Sequence, residues 1–378
     1  MRMLLGALAL AASILHTTTR AGHVETLYTS PVHHTIAAFA QDGGLVAWFA
    51  PGTKREPCND VWVWQLGSAG KQSLPAQGAG YHNVTCDWQV PPGSPVGLAV
   101  ASNEGAPALL WSLHESASQS LKFDYVLGAA VATPLERRFQ QVAHARHGAG
   151  LWLAGVAGGG TTLVYAVAQV AYRDQLECLS TPKAPGACAL KVVDGGIYRV
   201  VGRKTPVKID ESSASVAVAV AGDTVAFVPA VGSSTTDGHP LASPNVPVEV
   251  LNADTGARVA SVSPDGTPVA IALSTGTLAL LGRIGGKLVL SWYEMPSGKP
   301  AGDLTLPAKA ADTVSAGDGA VVFRVGRSIR WVDVATKKVH TVATAAATPI
   351  GLSIAGRRVA WAENVGGRGR IRAVTLAP

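Results

Sequence analysis

Apolar residues alternate with small or polar ones in short runs along most of this chain, and Gly, Asp, Ser and Thr cut the runs at intervals. Residues 316–343 show the unit. Gly317-Asp318-Gly319 is a turn, Ala320–Val325 an apolar run, Gly326-Arg327 a second turn, Ser328–Asp333 a run with period two, and Thr336-Lys337-Lys338 a polar break before Val339. Apolar runs of four to eight residues with period two, bounded by turn formers, predict strands. The turns leave no room for a helix, so consecutive strands pair as an antiparallel meander.

Variants of this phrase recur. Seven runs of Val or Leu, a small residue, then an aromatic or aliphatic one end at Trp48, Val100, Leu153, Phe227, Leu280, Phe323 and Trp361, with spacings from 38 to 74 residues. Another strand precedes most of them, as in Thr35–Ala40, Ser215–Val220, Pro268–Leu273 and Pro349–Ile354. A third follows, as in Val61–Leu66, Val248–Leu251, Leu288–Glu294 and Ile329–Asp333, and a fourth in Ala257–Val262 and Lys338–Val342. Four short strands per repeat predict an all-β fold, a β-propeller of four-stranded antiparallel blades. Seven runs predict seven blades, with six or eight still open. The last repeat stops after three strands, so His23–Tyr28 is expected to supply the fourth and close the ring. Tyr172–Cys188 reads as a loop inserted in the third blade, and Gly232–Asn245 as one inserted in the fourth.

Three phrases carry a family resemblance. Asn252-Ala-Asp-Thr-Gly-Ala-Arg-Val resembles the strand-turn-strand of quinoprotein-type propeller repeats, Trp331-Val-Asp-Val-Ala-Thr-Lys-Lys-Val resembles the corresponding turn of WD40-like repeats, and Ser263-Pro-Asp-Gly before Pro268-Val-Ala is similar to the signature turn of TolB-type repeats. The resemblance covers 22–378 as an architecture. It implies the propeller fold and no particular ligand.

Composition agrees. Charged residues are 15%, hydrophobic residues 47%, and there are 42 Gly, a mixture suited to buried strands and tight turns. The first 21 residues differ. Arg2 precedes the apolar run Leu4–Leu15, and a polar stretch ends at Ala21, the layout of a secretory signal peptide with cleavage after Ala21. Residues 1–21 are thus read as a signal peptide and 22–378 as one propeller domain, secreted or extracytoplasmic, with no later run long enough to span a membrane. An oxidising compartment makes the four cysteines readable as two disulfides; three pairings are possible, and nearness in sequence favours Cys58 with Cys86 and Cys178 with Cys188. Without residues 1–21 the chain carries 29 basic and 25 acidic residues. The excess is concentrated after Ala320, where Arg324, Arg327, Arg330, Lys337, Lys338, Arg357, Arg358, Arg368, Arg370 and Arg372 face only Asp333 and Glu363.

Three groups are candidates for chemistry. His33 and His34, His82, and His144 with His147 fall near first strands of the first three repeats, so His34, His82 and His144 could converge at a central channel. No carboxylate accompanies them at fixed spacing, and no metal or other cofactor is assigned. Arg368, Arg370 and Arg372 share a strand face, with Arg324, Arg327 and Arg330 in the preceding blade, a patch that would attract an anionic partner. Aromatic interleaving is missing, so no nucleic acid is expected. Trp48, Phe227 and Trp361 hold equivalent positions and are expected to fill the wedge between blades, while Trp62 and Trp64 share one strand face. No nucleophile elbow, phosphate-binding loop, dinucleotide fingerprint or HExxH motif occurs.

The sequence therefore reads as a monomeric binding or scaffolding propeller with a protein or an anionic cell-envelope polymer on one face of the disc. The alternative is an extracytoplasmic hydrolase or lyase with a site at the central channel. N-terminal sequencing of protein exported from its host should begin at Gly22; retention of residues 1–21 would remove the assignment to an extracytoplasmic compartment.

Overall fold

Tight turns at Gly43, Gly160, Gly222 and Gly319 carry positive φ and close hairpins at the spacing that the apolar runs set. The computed structural model describes residues 22–76, 96–103, 105–116, 123–131, 136–143, 149–171, 187–189, 192–200, 205–210, 215–234 and 240–377. Its strands form seven four-stranded antiparallel sheets. Blades 1 to 6 span 38–75, 96–143, 149–210, 215–262, 267–305 and 310–344, and blade 7 combines 350–375 with Glu25–Thr29. Within a blade the strands are lettered A to D from the ring centre outward.

The expected closure is present. Glu25–Thr29 is the D strand of blade 7, antiparallel to Arg368–Thr375, with Glu25 opposite Ala373 and Thr29 opposite Arg370. The two sequence-predicted insertions also meet: Ala187–Ala189 pairs with Gly232–Ser234, which pairs with Pro240–Leu241, in a small three-stranded sheet beside blades 3 and 4.

Two of the seven runs sit one strand earlier than expected. Leu98–Val100 and Leu151–Leu153 lie in the A strands Val96–Asn103 and Ala149–Gly159; the B strands are Ala106–Ser116 and Thr162–Ala171. In blades 2 and 3 the A and B strands are both apolar, so pattern alone does not separate them. Hairpin register does. Phe39 faces Trp48, Val100 faces Leu109, Val156 faces Tyr165, Val218 faces Phe227, Ile271 faces Leu280 and Val314 faces Phe323, so Leu109 and Tyr165 are the equivalent residues.

The core consists of seven apolar wedges, one between each pair of adjacent blades. Each B strand serves two of them. Ala47 and Phe49 pack on Leu109, Trp111 and Leu113 of blade 2, while Val46 and Trp48, on the opposite face, pack on Ala360, Ala362 and Ile371 of blade 7. The wedge between blades 7 and 1 is built like the others, with Ile36, Phe39, Val46 and Trp48 packed on Ala360, Ala362, Ile371 and Ala373. Gly351 marks how close this seam is: its φ is +59°, and a Cβ would run into the Phe39 carbonyl.

Trp361 is 1% exposed, and Trp361→Ala should cost roughly 3–5 kcal/mol. Gly351→Ala should also lower the urea midpoint, because strain and collision act together. Val339→Ala, on an outer strand, should change it little.

Candidate functional site

Antiparallel order forces two unlike faces on the disc: the A–B and C–D turns lie on one, and the B–C turns with the blade-to-blade connections on the other. At the A–B end the ring opens into a cavity of about 510 Å3, lined by the A strands of all seven blades. Its walls are mostly Ala, Val, Ile, Leu and Gly; Gln41, Ser274, Thr275, Ser315 and Ser353 add polar groups, and Asp42 is the one carboxylate of this lining. Several of these groups tie blades together. Gln41 Nε2 donates to the carbonyls of Ser353 (3.0 Å) and Arg358 (2.8 Å), and the Gly160 N–H of blade 3 donates to Asp42 Oδ2 (2.8 Å). Burial pushes the Asp42 carboxyl up, and the Gly160 hydrogen bond opposes the shift.

The B–C face differs in charge. Among its exposed described residues are Lys54, Arg55, Arg283, Lys287, Lys309 and Arg327, against Glu56, Asp265 and Asp312, with half-buried Arg368 and Asp60 beside them, and Asp312 is bound by Arg283 at 3.0 Å. On the A–B face, Asp42, Asp223, Asp254, Glu294, Asp318 and Asp333 nearly match Lys71, Arg258, Lys299, Lys337, Lys338, Arg357 and Arg358. Val32, Val231 and Ile284, exposed at 43%, 49% and 40%, also belong to the B–C face.

The six predicted arginines do not form one sheet of charge. Phe323 pairs with Arg330, and Arg324 with Ile329; Phe323 packs towards blade 5 and Ile329 towards blade 7, so Arg324 and Arg330 lie on opposite sides of blade 6. Burial also pushes the Arg324 guanidinium below its ordinary value. Arg368, Arg370 and Arg372 do share a face, alternating with buried Gly369, Ile371 and Ala373. Arg372 reaches Glu363, 1% exposed, at 3.4 Å. Glu363 Oε2 accepts the N–H groups of Ala346 (2.8 Å) and Ala347 (3.3 Å), and Arg327 donates to the Ala346 carbonyl (2.9 Å). Arg372 therefore reaches the connection from blade 6 to blade 7 through the Glu363 carboxylate, and Arg327 reaches it directly through the Ala346 carbonyl. Glu363 was visible in the sequence as a lone acid in a basic sector; its burial was not.

His34 lies at the junction of blades 7 and 1, away from the A–B cavity. The Gly369 N–H donates to its carbonyl (2.8 Å), and Arg368 donates to the Ser30 carbonyl (3.1 Å), so ring closure brings residues over 330 positions apart into contact. The His34 ring lines a cavity of about 180 Å3 together with Tyr28, Trp48, Glu56, Asp60 and Trp62. His34 Nδ1 is 3.9 Å from Glu56 Oε2, an ion pair when the imidazole is protonated. The Asp60 carboxyl is pushed up, first by burial and then by Glu56, with His34 opposing. Sequence reasoning missed Glu56 and Asp60 because they come from the B–C loop and C strand of blade 1, not from a repeat-equivalent strand end. His82, His144, His147, Cys86, Cys178 and residues 1–21 lie outside the described residues. Among the described residues there is no free cysteine, and no group of three or more His, Cys, Asp or Glu is placed to hold a metal ion.

No family model and no curated protein matches the chain. Solved structures are similar in fold. A chain of a mitotic checkpoint complex crystal structure is 10% identical with a TM-score of 0.50, covering 100% of this chain and 99% of that one. The AfRom2 CNH domain is 11% identical (TM-score 0.45; 94% and 100% covered), and BamB from Moraxella catarrhalis 8% identical (TM-score 0.42; 94% and 100% covered). The chain is a seven-bladed β-propeller.

A raised carboxyl pKa means that the unfolded chain gives up its proton first, so ionised Asp60 weakens the fold as pH rises through and above the carboxylate range. Asp60→Asn should therefore unfold at an equal or higher urea concentration than wild type at pH 7. The difference should vanish at acidic pH, where both side chains are neutral, and a variant less stable at pH 7 would contradict the assignment.

Proposed function

We propose that this protein is a monomeric extracytoplasmic binding and scaffolding propeller whose B–C face docks an acidic protein surface. The observation that carries this reading is the division of exposed charge between the faces: among the described residues, exposed cations outnumber exposed acids on the B–C face, while the A–B face is nearly balanced. Interspersed Val32, Val231 and Ile284 add apolar contact that a protein uses better than a uniformly charged polymer does. The A–B cavity supports binding over catalysis, because its lining carries a single carboxylate already held by a backbone N–H, where acid-base chemistry calls for a pair. No helix among the described residues is long and apolar enough to cross a membrane. The reading keeps the signal peptide at 1–21, the pairings Cys58–Cys86 and Cys178–Cys188, and no cofactor.

Binding of the purified protein to poly-glutamate over a salt series tests the docking face. Affinity should fall steeply with salt, and Lys54→Glu, Lys287→Glu and Lys309→Glu together should weaken it by roughly tenfold or more. Lys337→Glu with Lys338→Glu, on the other face, should not. Equal losses from both sets, or preference for a polyphosphate polymer over poly-glutamate, would overturn the assignment of an acidic protein partner.

A further inference from the structure

Two carboxylates set against the blades of this propeller have an arginine: Glu249 in blade 4 is 3.1 Å from Arg258, and Glu363 in blade 7 is 3.4 Å from Arg372. The cavity between blades 7 and 1 differs. Glu56 stands at its mouth, 71% exposed, and Asp60 in its half-buried wall, and among the described residues neither is paired with a Lys or Arg; the recorded partner is His34. With the imidazole neutral, the cavity holds two negative charges that raise each other's energy, a cost that a bound cation would remove.

Three aromatic rings, Tyr28, Trp48 and Trp62, share the lining with smaller groups such as Ser30, Thr35 and Ala50. Tyr28 lies 4.7 Å from Trp48, and Trp48 stacks parallel on Trp62 at 5.8 Å. Tyr28 comes from the strand that closes the ring, and Trp48 and Trp62 from blade 1. The same ring system already holds one ammonium: Lys71 Nζ sits 5.2 Å over Tyr28 and 4.8 Å over Trp64. At about 180 Å3 the cavity is smaller than the ~300–1,000 Å3 typical of sites for whole drug-sized ligands, so it suits one head group and a short stem.

We propose that this cavity is a binding site for a small organic cation, an ammonium or guanidinium head on an alkyl stem. Asp60 and Glu56 accept the head's N–H bonds, and Tyr28 and Trp62 pack its methylenes. The site is independent of the docking of an acidic partner, since it uses none of the cations on the B–C face. Lys54 and Arg55 stand on the same loop as Glu56 and set a repulsive rim, which favours a ligand that presents its charge on a stem.

Tryptophan fluorescence and calorimetric titration of the full chain with n-butylammonium, N-acetyl-arginine amide and, as a neutral control, methyl β-glucoside test the site. Both cations should saturate and the sugar should not; tighter binding of the arginine amide identifies a peptide side chain as the source, and tighter binding of the free amine a small metabolite. Asp60→Asn should weaken cation binding roughly tenfold or more while the protein stays folded. Glu56→Gln, at an exposed position, should weaken it severalfold and serves if Asp60→Asn misfolds. The triple charge reversal at Lys54, Lys287 and Lys309 should leave cation binding intact or strengthen it, which separates this site from poly-glutamate docking. Saturation by the glucoside alone, no saturation by either cation, or wild-type affinity in folded Asp60→Asn and Glu56→Gln would overturn the proposal.

Discussion

A blade in this protein has two apolar faces, and neither can be left in water. The B strands are buried throughout, with alternate residues committed to different neighbours, so each sheet is stable only when it is flanked on both sides. A row of such sheets has an exposed apolar face at each end until it bends round and meets itself. Ring geometry follows from that requirement, and so does the use of wedge-filling residues near the ring and small ones where sheets converge. The last blade and its seam with blade 1 carry the heaviest demand, because inside blade 7 the strand Glu25–Thr29 is held to Arg368–Thr375 by pairing alone. Gly351 lets the backbones close in, Gln41 bridges to the Ser353 and Arg358 carbonyls, and the Asn364 side chain exchanges two 2.9 Å hydrogen bonds with the backbone of Ile36.

Much of this architecture is legible in the chain because turns and strand parity are local properties. Gly and Asp mark where hairpins reverse, period two marks which residues face a neighbour, and the missing fourth strand of the last repeat points to the N-terminus. Blades 2 and 3 were harder to read: when A and B strands are equally apolar, only hydrogen-bond register shows that Leu109, not Val100, is the equivalent of Trp48. The arginines of blade 6 show a second limit. Arg324 and Arg330 have the same parity, but they lie on strands joined by a turn whose register puts Phe323 opposite Arg330, and that reverses the face.

The candidate sites were less legible for a related reason. His34 stood out as a histidine, yet its surroundings combine the closing strand, the B–C loop of blade 1 and the backbone of Gly369, segments that no short-range pattern links. Glu363 is similar. Its two backbone donors come from the preceding connection and its arginine from the next strand, so its role exists only in the folded ring. Residues that act at one point of a repeat can be found by aligning repeats; residues that act across a seam cannot.

The closing strand has a further consequence. Tyr28 reaches Trp48 only after the first strand of the chain has docked on the last, so the aromatic cavity at that joint is absent from every incomplete ring. A ligand held there would bind the closed form alone and, by mass action, would hold the ring shut. The joint would then act as a clasp whose tension is set from outside, and occupancy of the cavity would report that Glu25–Thr29 has docked on Arg368–Thr375.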